Sequence, residues 1–146
     1  MEFKITVAEF NQLCQERLPF STAMGLKLEK IDEAGVQMRA MYSKDFLRPG
    51  GTISGPVLMA LGDAAMYALV LSRIGPVELA VTTNLSINFL RKPNPGDVIA
   101  NARMLKLGKR LAVGEVSLYS EHSNSDVNLT EPVAHVTATY SIPPVN

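Results

Sequence analysis

The fold is decided by the stretch PGGTISGPVLMALGDAAMYALVLSRIG, residues 49–75. Between Ile53 and Ser72 its only charged residue is Asp63, and apolar residues occupy every side of the implied helix. A helix that is apolar all round is buried, either in a protein core or in a membrane. Burial of a lone carboxylate is costly unless partners compensate its charge. The stretch therefore predicts a wrapped central helix in which Asp63 is a candidate functional acid.

Gly55 and Pro56 mark the start of this helix. Proline suits the first helical position, which makes Ser54 or Gly55 the cap residue. The first N–H groups of a helix are unpaired and carry partial positive charge. Because Pro56 has no N–H, the donor best placed to meet a ligand oxygen is that of Gly55, where the missing side chain permits close approach. This combination predicts a site that stabilises an oxyanion.

The spacing of Gly55 and Asp63 predicts a site shared by two chains. Eight residues separate them, which is about 12 Å along a helix axis. One carbonyl group cannot contact both groups on the same helix, so joint action requires the Asp63 of a second protomer. The structural alternative is an interior acid held by hydrogen bonds at a dimer seam.

The segments around this helix have the periodicities of a short helix and of strands. Thr6 and Glu9 form a capping-box signal for an N-terminal helix that ends before Pro19. Segments 26–32 and 36–42 are predicted strands joined at the turn EAG. Four further segments of strand character follow the central helix: 78–90, 98–107, 111–120 and 132–142.

Alternation in the first of these four segments places Leu85, Ile87 and Phe89 on one face together with Leu79 and Val81. One long apolar helix with several one-sided antiparallel strands predicts the α+β class. We expect an antiparallel sheet wrapped around one long central helix, with an N-terminal helix beside it.

Composition bounds the possible functions. With 146 residues, 47% of them apolar, and no net charge, the chain is typical of one globular domain, 1–146. The lack of a basic excess argues against a nucleic-acid partner. The single cysteine, Cys14, excludes an internal disulfide, suits a reducing compartment and is expected to pack as a small apolar side chain. The apolar run 57–71 is too short for a membrane span, and the start of the chain lacks a signal-peptide pattern. We expect a soluble cytoplasmic protein with no membrane contact, no metal and no cofactor.

The chain resembles the hotdog-fold acyl-CoA thioesterases of the phenylacetate-pathway subgroup in three phrases: GGTISGPVLMALGDAAMYAL, VTTNLSINFLRKPNPGD and LKLGKRLAVGEVSLYS. The likeness covers nearly everything from about residue 20 to 142. It implies a hotdog fold and a dimer with one continuous sheet, which in some members pairs again into a dimer of dimers. In that family the loop before the helix usually reads His-Gly-Gly, with an acid eight residues after the first glycine. Gly55 and Asp63 keep that spacing.

The resemblance implies hydrolysis of an acyl-CoA thioester to the free acid and CoA. Gly55 N–H would polarise the thioester carbonyl, and Asp63 of the neighbouring protomer would act as general base or as nucleophile. Family members often use a Ser or Thr on the following strand to hold the water, and Thr82 aligns with it. Strict alternation instead puts Thr83 on the face of Leu85, so a bulge at Thr82 or a role for Thr83 both stay open.

Further residues are candidates for substrate binding. The phosphates of CoA call for basic groups at the pocket mouth, which makes Arg91 and Lys92 candidates, together with Lys109 and Arg110 at a turn where the family meets the nucleotide. Tyr67 lies one turn beyond Asp63, so it is expected to hydrogen-bond this acid or to line the acyl pocket, with the pocket wall favoured.

The chain departs from the family pattern at three positions. The usual His of the glycine motif is Ser54, its second glycine is Pro56, and an Asn often found six residues before that His is Arg48. Ser54 and Arg48 therefore replace groups that help to position the thioester. His135 is expected to face away from the core and His122 to lie in a polar loop, both without a catalytic role.

Three alternatives remain beside the thioesterase. A hotdog hydratase typically needs a His in the loop before the central helix, and residues 1–121 contain none. A catalytically silent protein that binds or senses acyl-CoA is favoured by the replaced His and Asn. A purely structural dimer leaves Asp63 without an explanation.

Overall fold

The computed structural model describes residues 1–120 and 129–144. The helices are α1 (Val7–Arg17), α2 (Pro19–Ala23) and α3 (Gly55–Ile74), with a 3₁₀ turn at Lys44–Phe46. The strands are β1 (Leu26–Asp32), β2 (Gly35–Ala40), β3 (Val81–Phe89), β4 (Val98–Leu107), β5 (Leu111–Ser120) and β6 (Ala134–Ser141). They form one antiparallel sheet in the order β1-β2-β4-β5-β6-β3. The α+β architecture predicted from the sequence is confirmed.

The sheet wraps α3, which contacts all six strands. Leu61, Ala65, Met66 and Leu69 are fully buried because the helix is apolar on every side. Within residues 1–120 and 129–144, α3 is the one helix long and apolar enough to cross a membrane. In this structure the sheet covers most of the apolar surface of α3, so the helix forms part of the protein core.

The N-terminal helix α1 closes one side of this core. Thr6 and Glu9 form the predicted capping box, with hydrogen bonds of 2.9 and 3.1 Å. Phe10 and Cys14 are buried beneath α1, so the thiol packs as the small apolar group that was expected. Burial raises the pKa of Cys14 to about 11.

The second strand is shorter than predicted, since β2 ends at Ala40 rather than at residue 42. The backbone N–H of Tyr42 donates to Asp97 Oδ1 at 2.7 Å instead of continuing the sheet. Asp97 also accepts a hydrogen bond from Arg39 Nη1 at 3.0 Å. A side-chain acceptor therefore ends the strand where alternation alone would extend it.

β3 lies at the edge of the sheet and, within the described residues, pairs only with β6. The predicted single face of this segment is wrong at its start. Leu79 precedes the strand and is 81% exposed, and Val81 is 55% exposed. Leu85 and Ile87 pack against the core as expected. A nine-residue edge with exposed apolar residues is a surface on which another strand can add.

Candidate active site

Asp63 lies in the middle of α3, opposite β3 and β6. Its Oδ1 accepts hydrogen bonds from Thr82 Oγ1 at 2.5 Å and from the Tyr140 hydroxyl at 2.9 Å. The Tyr140 hydroxyl is also 3.1 Å from the Asp63 carbonyl oxygen. Thr82 and Tyr140 are directly paired across β3 and β6, so both hydroxyls reach the same carboxylate. Two hydroxyl donors therefore compensate the negative charge of the Asp63 carboxylate on this apolar helix.

A bulge in β3 decides between the two threonines. Thr82 pairs with Tyr140 and Asn84 pairs with Thr139, which leaves Thr83 as the extra residue. The bulge brings Thr82 and Leu85 to the inner face of the sheet. Thr83 Oγ1 instead donates to the Thr139 carbonyl at 3.2 Å and is exposed. Thr82 therefore joins Asp63, and Thr83 lies apart from it.

The second oxygen of Asp63 stays open. Oδ2 accepts no hydrogen bond from residues 1–120 or 129–144, and Asp63 lines a cavity of about 290 Å³. Apolar and aromatic side chains from α1, α2 and β1 form much of its wall: Phe10, Cys14, Leu18, Phe20 and Leu26. A cavity with such a lining suits apolar groups.

Tyr67 lies in the wall of this cavity and does not hydrogen-bond Asp63. Its hydroxyl donates to the Glu78 carbonyl oxygen at 3.1 Å. Its ring centroid is 5.9 Å from that of Phe10 and 6.2 Å from that of Tyr140. Burial raises the pKa of Tyr67 to about 12, and the neighbouring acidic groups of Cys14 and Glu78 add to the shift. The tyrosine is a neutral part of the wall at physiological pH.

Gly55 lies in a second cleft, of about 450 Å³, at the start of α3. Ser54 is the cap residue, but its side chain makes no capping hydrogen bond. The Gly55 N–H has no hydrogen-bond acceptor within the described residues. A Cβ atom at Gly55 would lie 3.2 Å from the Phe89 ring, so glycine lets this ring pack close to the start of α3. The cleft therefore offers an unpaired backbone donor at the positive end of a helix dipole.

Basic side chains surround the Gly55 donor. Arg48, Arg91 and Lys92 line the same cleft. Arg91 Nη1 donates to the Pro132 carbonyl at 2.7 Å, which fixes this side chain at the cleft wall. Lys92 is exposed and makes no hydrogen bond or ion pair with residues 1–120 and 129–144. An anionic group entering the cleft would meet positive charge.

The other basic pair, Lys109 and Arg110, lies at the opposite end of β3. Leu111, Ser141 and Val81 are in register across β5, β6 and β3, which places this turn beside the start of β3. Arg110 Nε donates to the Ile142 carbonyl at 2.9 Å. All four basic residues were expected at one pocket mouth. In one protomer, Arg91 and Lys92 instead lie at the Phe89 end of β3, and Lys109 and Arg110 lie at the Val81 end.

Gly55 and Asp63 likewise line different cavities, and the two linings share no residue. One chain therefore does not combine the donor and the acid, as their spacing on the helix predicted.

His135 faces away from the core, as expected. It lies between buried neighbours on β6, and its Nε2 is 3.2 Å from Glu115 Oε2 on the outer face of the sheet. A hydrogen bond from Arg103 holds the pKa of Glu115 below its usual value, and His135 contributes to the same effect. His122 lies outside the described residues.

Tyr140 is the site residue that sequence reasoning missed. Alternation along β6 puts it on the buried face with Val136 and Ala138. A buried tyrosine hydroxyl usually has a hydrogen-bond partner. The pattern ATYS beside a buried acid was therefore a usable signal, although it does not name the partner.

Comparisons with known proteins give consistent results. Residues 50–126 match the family described as the Thioesterase superfamily. The chain is 30% identical over 121 residues to "Putative esterase SSO1253" of Saccharolobus solfataricus, which covers 82% of this chain and 79% of that protein. The crystal structure named a "putative thioesterase" from Silicibacter sp. TM1040 is similar with a TM-score of 0.85 and 42% identity over 99% of this chain and 96% of that one. A mutant of the phenylacetic acid degradation protein PaaI from Thermus thermophilus has a TM-score of 0.69 and 28% identity over 86% of this chain and 99% of that one.

Proposed function

The chain belongs to the thioesterase superfamily and has its hotdog fold, and on this premise we propose that it hydrolyses acyl-CoA thioesters to the free acid and CoA. The observation that carries the proposal is the environment of Asp63. One carboxylate oxygen is held by Thr82 and Tyr140, and the other has no hydrogen-bond donor among the described residues and lies beside an apolar cavity. Such a carboxylate is available to react with a water molecule or a carbonyl carbon inside a site of low polarity.

The complete site belongs to a homodimer that pairs through β3. An antiparallel pair of edge strands related by a two-fold axis brings the Val81 end of one strand to the Phe89 end of the other. The Asp63 cavity of one protomer then adjoins the Gly55 cleft of its partner. Exposed Val81 and Phe89 on an unpaired edge support this arrangement. Two such dimers can associate further into a tetramer.

The reaction follows from this combination of groups. The thioester carbonyl oxygen accepts the Gly55 N–H, which stabilises negative charge in the tetrahedral intermediate. Asp63 of the opposite protomer takes a proton from water while the water oxygen bonds to the carbonyl carbon. The intermediate then breaks its C–S bond, and the CoA thiolate leaves as the thiol after receiving that proton. If Asp63 is the nucleophile, Oδ2 itself bonds to the carbonyl carbon, the C–S bond breaks, and the CoA thiolate leaves and takes a proton from water. Water then cleaves the resulting mixed anhydride to the free acid and the Asp63 carboxylate.

The two cavities divide the substrate by its chemistry. The acyl group enters the apolar cavity beside Asp63, with Tyr67 in its wall. The phosphates of CoA meet the basic groups that surround the Gly55 cleft, and Lys109 and Arg110 reach the same substrate from the opposite protomer. Thr82 has lone pairs left to accept a hydrogen bond from the attacking water, since its own proton is directed to Asp63. We assign the protein to the phenylacetate-pathway type of thioesterase and to the cytoplasm.

The test is thiol release from a panel of short, medium and aromatic acyl-CoAs. We expect Asp63→Asn to lower kcat by about 10³-fold or more, because the general base or nucleophile is lost. Asp45→Asn, at an exposed acid of the 3₁₀ turn, is the matched control and should keep the wild-type rate. Equal rates for wild type and Asp63→Asn on every substrate would contradict the proposed hydrolase activity at Asp63.

A second candidate is a silent protein that binds acyl-CoA, favoured by Arg48 and Ser54 at the positions of the family's Asn and His. Its required result is tight binding of acyl-CoA in calorimetry without turnover. Sedimentation tests the shared site separately, since a monomer at micromolar concentration would exclude it.

A further inference from the structure

We propose that Tyr140 is a positioning residue that fixes the Asp63 carboxylate so that Oδ2, and not Oδ1, reacts. The inference deepens the proposed hydrolysis and rests on it. Two hydroxyl donors, from Thr82 and Tyr140, converge on Oδ1 at 2.5 and 2.9 Å. Oδ2 is left without a donor from residues 1–120 and 129–144, and Asp63 lines the acyl cavity. Both hydroxyl donors therefore bind Oδ1, while Oδ2 has no donor among the described residues.

Tyr140 is held more rigidly than Thr82. It is 3% exposed, and its backbone lies on β6, an inner strand that pairs with Ala112 on one side and Thr82 on the other. Thr82 belongs to the edge strand and is half-buried. The tyrosine hydroxyl also lies 3.1 Å from the Asp63 carbonyl oxygen, and its single proton points to the nearer and charged Oδ1 at 2.9 Å. Tyr140 therefore sets the rotation of the Asp63 carboxylate about its Cβ–Cγ bond.

The Tyr140 hydroxyl keeps its proton throughout the working range of the protein. Burial raises its pKa well above the ordinary value, and the Asp63 carboxylate raises it further. A hydroxyl that stays protonated is a permanent donor, so it cannot act as the base. Its role is to orient Asp63, and reaction geometry is sensitive to such orientation.

The sharpest test is Tyr140→Phe, which deletes one oxygen and keeps the buried ring. We expect kcat for acyl-CoA hydrolysis to fall by about tenfold to a hundredfold, with KM changed by less than about twofold, because substrate binding is intact and the reacting oxygen is misplaced. Tyr119→Phe deletes a hydroxyl on the outer face of the sheet, away from Asp63, and should keep both parameters. Thr82→Val, which removes the other donor to Oδ1, should also lower kcat more than it raises KM. Thermal unfolding of each variant checks that the fold is retained.

The outcomes separate this inference from the function on which it depends. An active wild type with an unchanged kcat in Tyr140→Phe overturns the role of Tyr140 and leaves the hydrolase in place. A change confined to KM also overturns it, since this result assigns Tyr140 to the binding wall. If Tyr140→Phe unfolds, Thr82→Val carries the test of a held Oδ1, and a wild-type kcat there overturns the proposal. A wild type without activity on any acyl-CoA overturns both the function and the positioning role.

Discussion

The two ends of β3 differ in what they offer a substrate. Near Val81, the strand borders an apolar cavity of about 290 Å³ that Asp63 lines. Thr82 and Tyr140 both donate hydrogen bonds to Oδ1 of this acid. Near Phe89, it borders a cleft of about 450 Å³ with basic walls and the unpaired N–H of Gly55. One end suits an apolar acyl group and a reacting carboxylate, and the other suits an oxyanion and phosphates. On the proposed function, each protomer therefore carries two complementary half-sites.

The difference arises from the direction of α3. The helix begins at Gly55, so its free N–H groups and positive dipole lie at the Phe89 end. Asp63 is two turns further along, where the helix is enclosed by β3 and β6. In the proposed dimer, a second chain that runs in the opposite direction along β3 brings the two kinds of half-site together.

At the Phe89 end, deletion of the Gly55 N–H should cause the largest loss of kcat. Gly55→Pro deletes the N–H at the first helical position, where proline is common, and it also adds a ring beside Phe89 and before Pro56. We expect kcat to fall by about 10²- to 10³-fold, the usual loss for one oxyanion-hole donor. Steady-state kinetics with the preferred acyl-CoA measure the effect.

Gly55→Ala separates the donor from the available space. It keeps the N–H and adds a Cβ that would lie 3.2 Å from Phe89, a ring that is 53% exposed and able to shift. We expect a smaller loss than in Gly55→Pro. Equal activity of the two variants would show that the N–H takes no part in the reaction.

The basic wall at the Phe89 end gives a smaller effect that depends on the substrate. Lys92→Gln should raise KM for acyl-CoA by about twofold to fivefold, since an exposed charge contributes little, and added salt should reduce the difference. The matching pantetheine thioester, which lacks the nucleotide phosphates, should show no change. Lys27→Gln, on the opposite edge strand β1, is the control. A loss of the same size on both substrates would contradict phosphate binding by Lys92.

The Val81 end gives the smallest effect, on stability at high pH. The pKa of Tyr67 is about 12 in the folded chain, against about 10 when it is unfolded. As pH rises from 10 to 12, the unfolded state releases this proton and the folded state retains it, so the free energy of unfolding falls. At pH 8, Tyr67→Phe should be less stable by about 1 kcal/mol, the value of the lost hydrogen bond to Glu78.

Urea unfolding at pH 8 and pH 11 measures this difference. The gap between wild type and Tyr67→Phe should narrow at pH 11, because the variant has no proton to lose at this position. The exposed Tyr42→Phe serves as the control and should follow the wild type at both pH values. A gap that widens at pH 11 would contradict the proposed burial of the Tyr67 hydroxyl.

The sequence predicted the fold well because periodicity dominates it. An all-round apolar helix and one-sided strands leave few architectures, and the wrapped helix follows from them. The end of β2 could not be predicted, since it depends on a long-range acceptor, Asp97. Nor could alternation predict the face of Val81, because a bulge shifts the register by one residue at Thr83.

The candidate site was predictable where chemistry lies on one element and less so where it depends on packing. Gly55 and Asp63 became candidates from a helix start and a lone acid, and their roles stay predictions. Tyr140 was missed because it is 77 residues from Asp63 in the chain, and only the β3–β6 pairing joins them. The division of the basic residues between two ends of β3 also depends on strand order, which no local pattern encodes.

Mixed dimers test the central claim most directly. Gly55→Pro and Asp63→Asn are each expected to keep at most about 1% of the wild-type rate alone, and the two chains carry different tags so that mixed dimers can be isolated and counted. If the site combines Gly55 of one protomer with Asp63 of the other, random mixing restores about a quarter of the wild-type rate, because half the dimers are mixed and each holds one intact site. Mixed dimers that form and show no recovered activity would contradict the shared site.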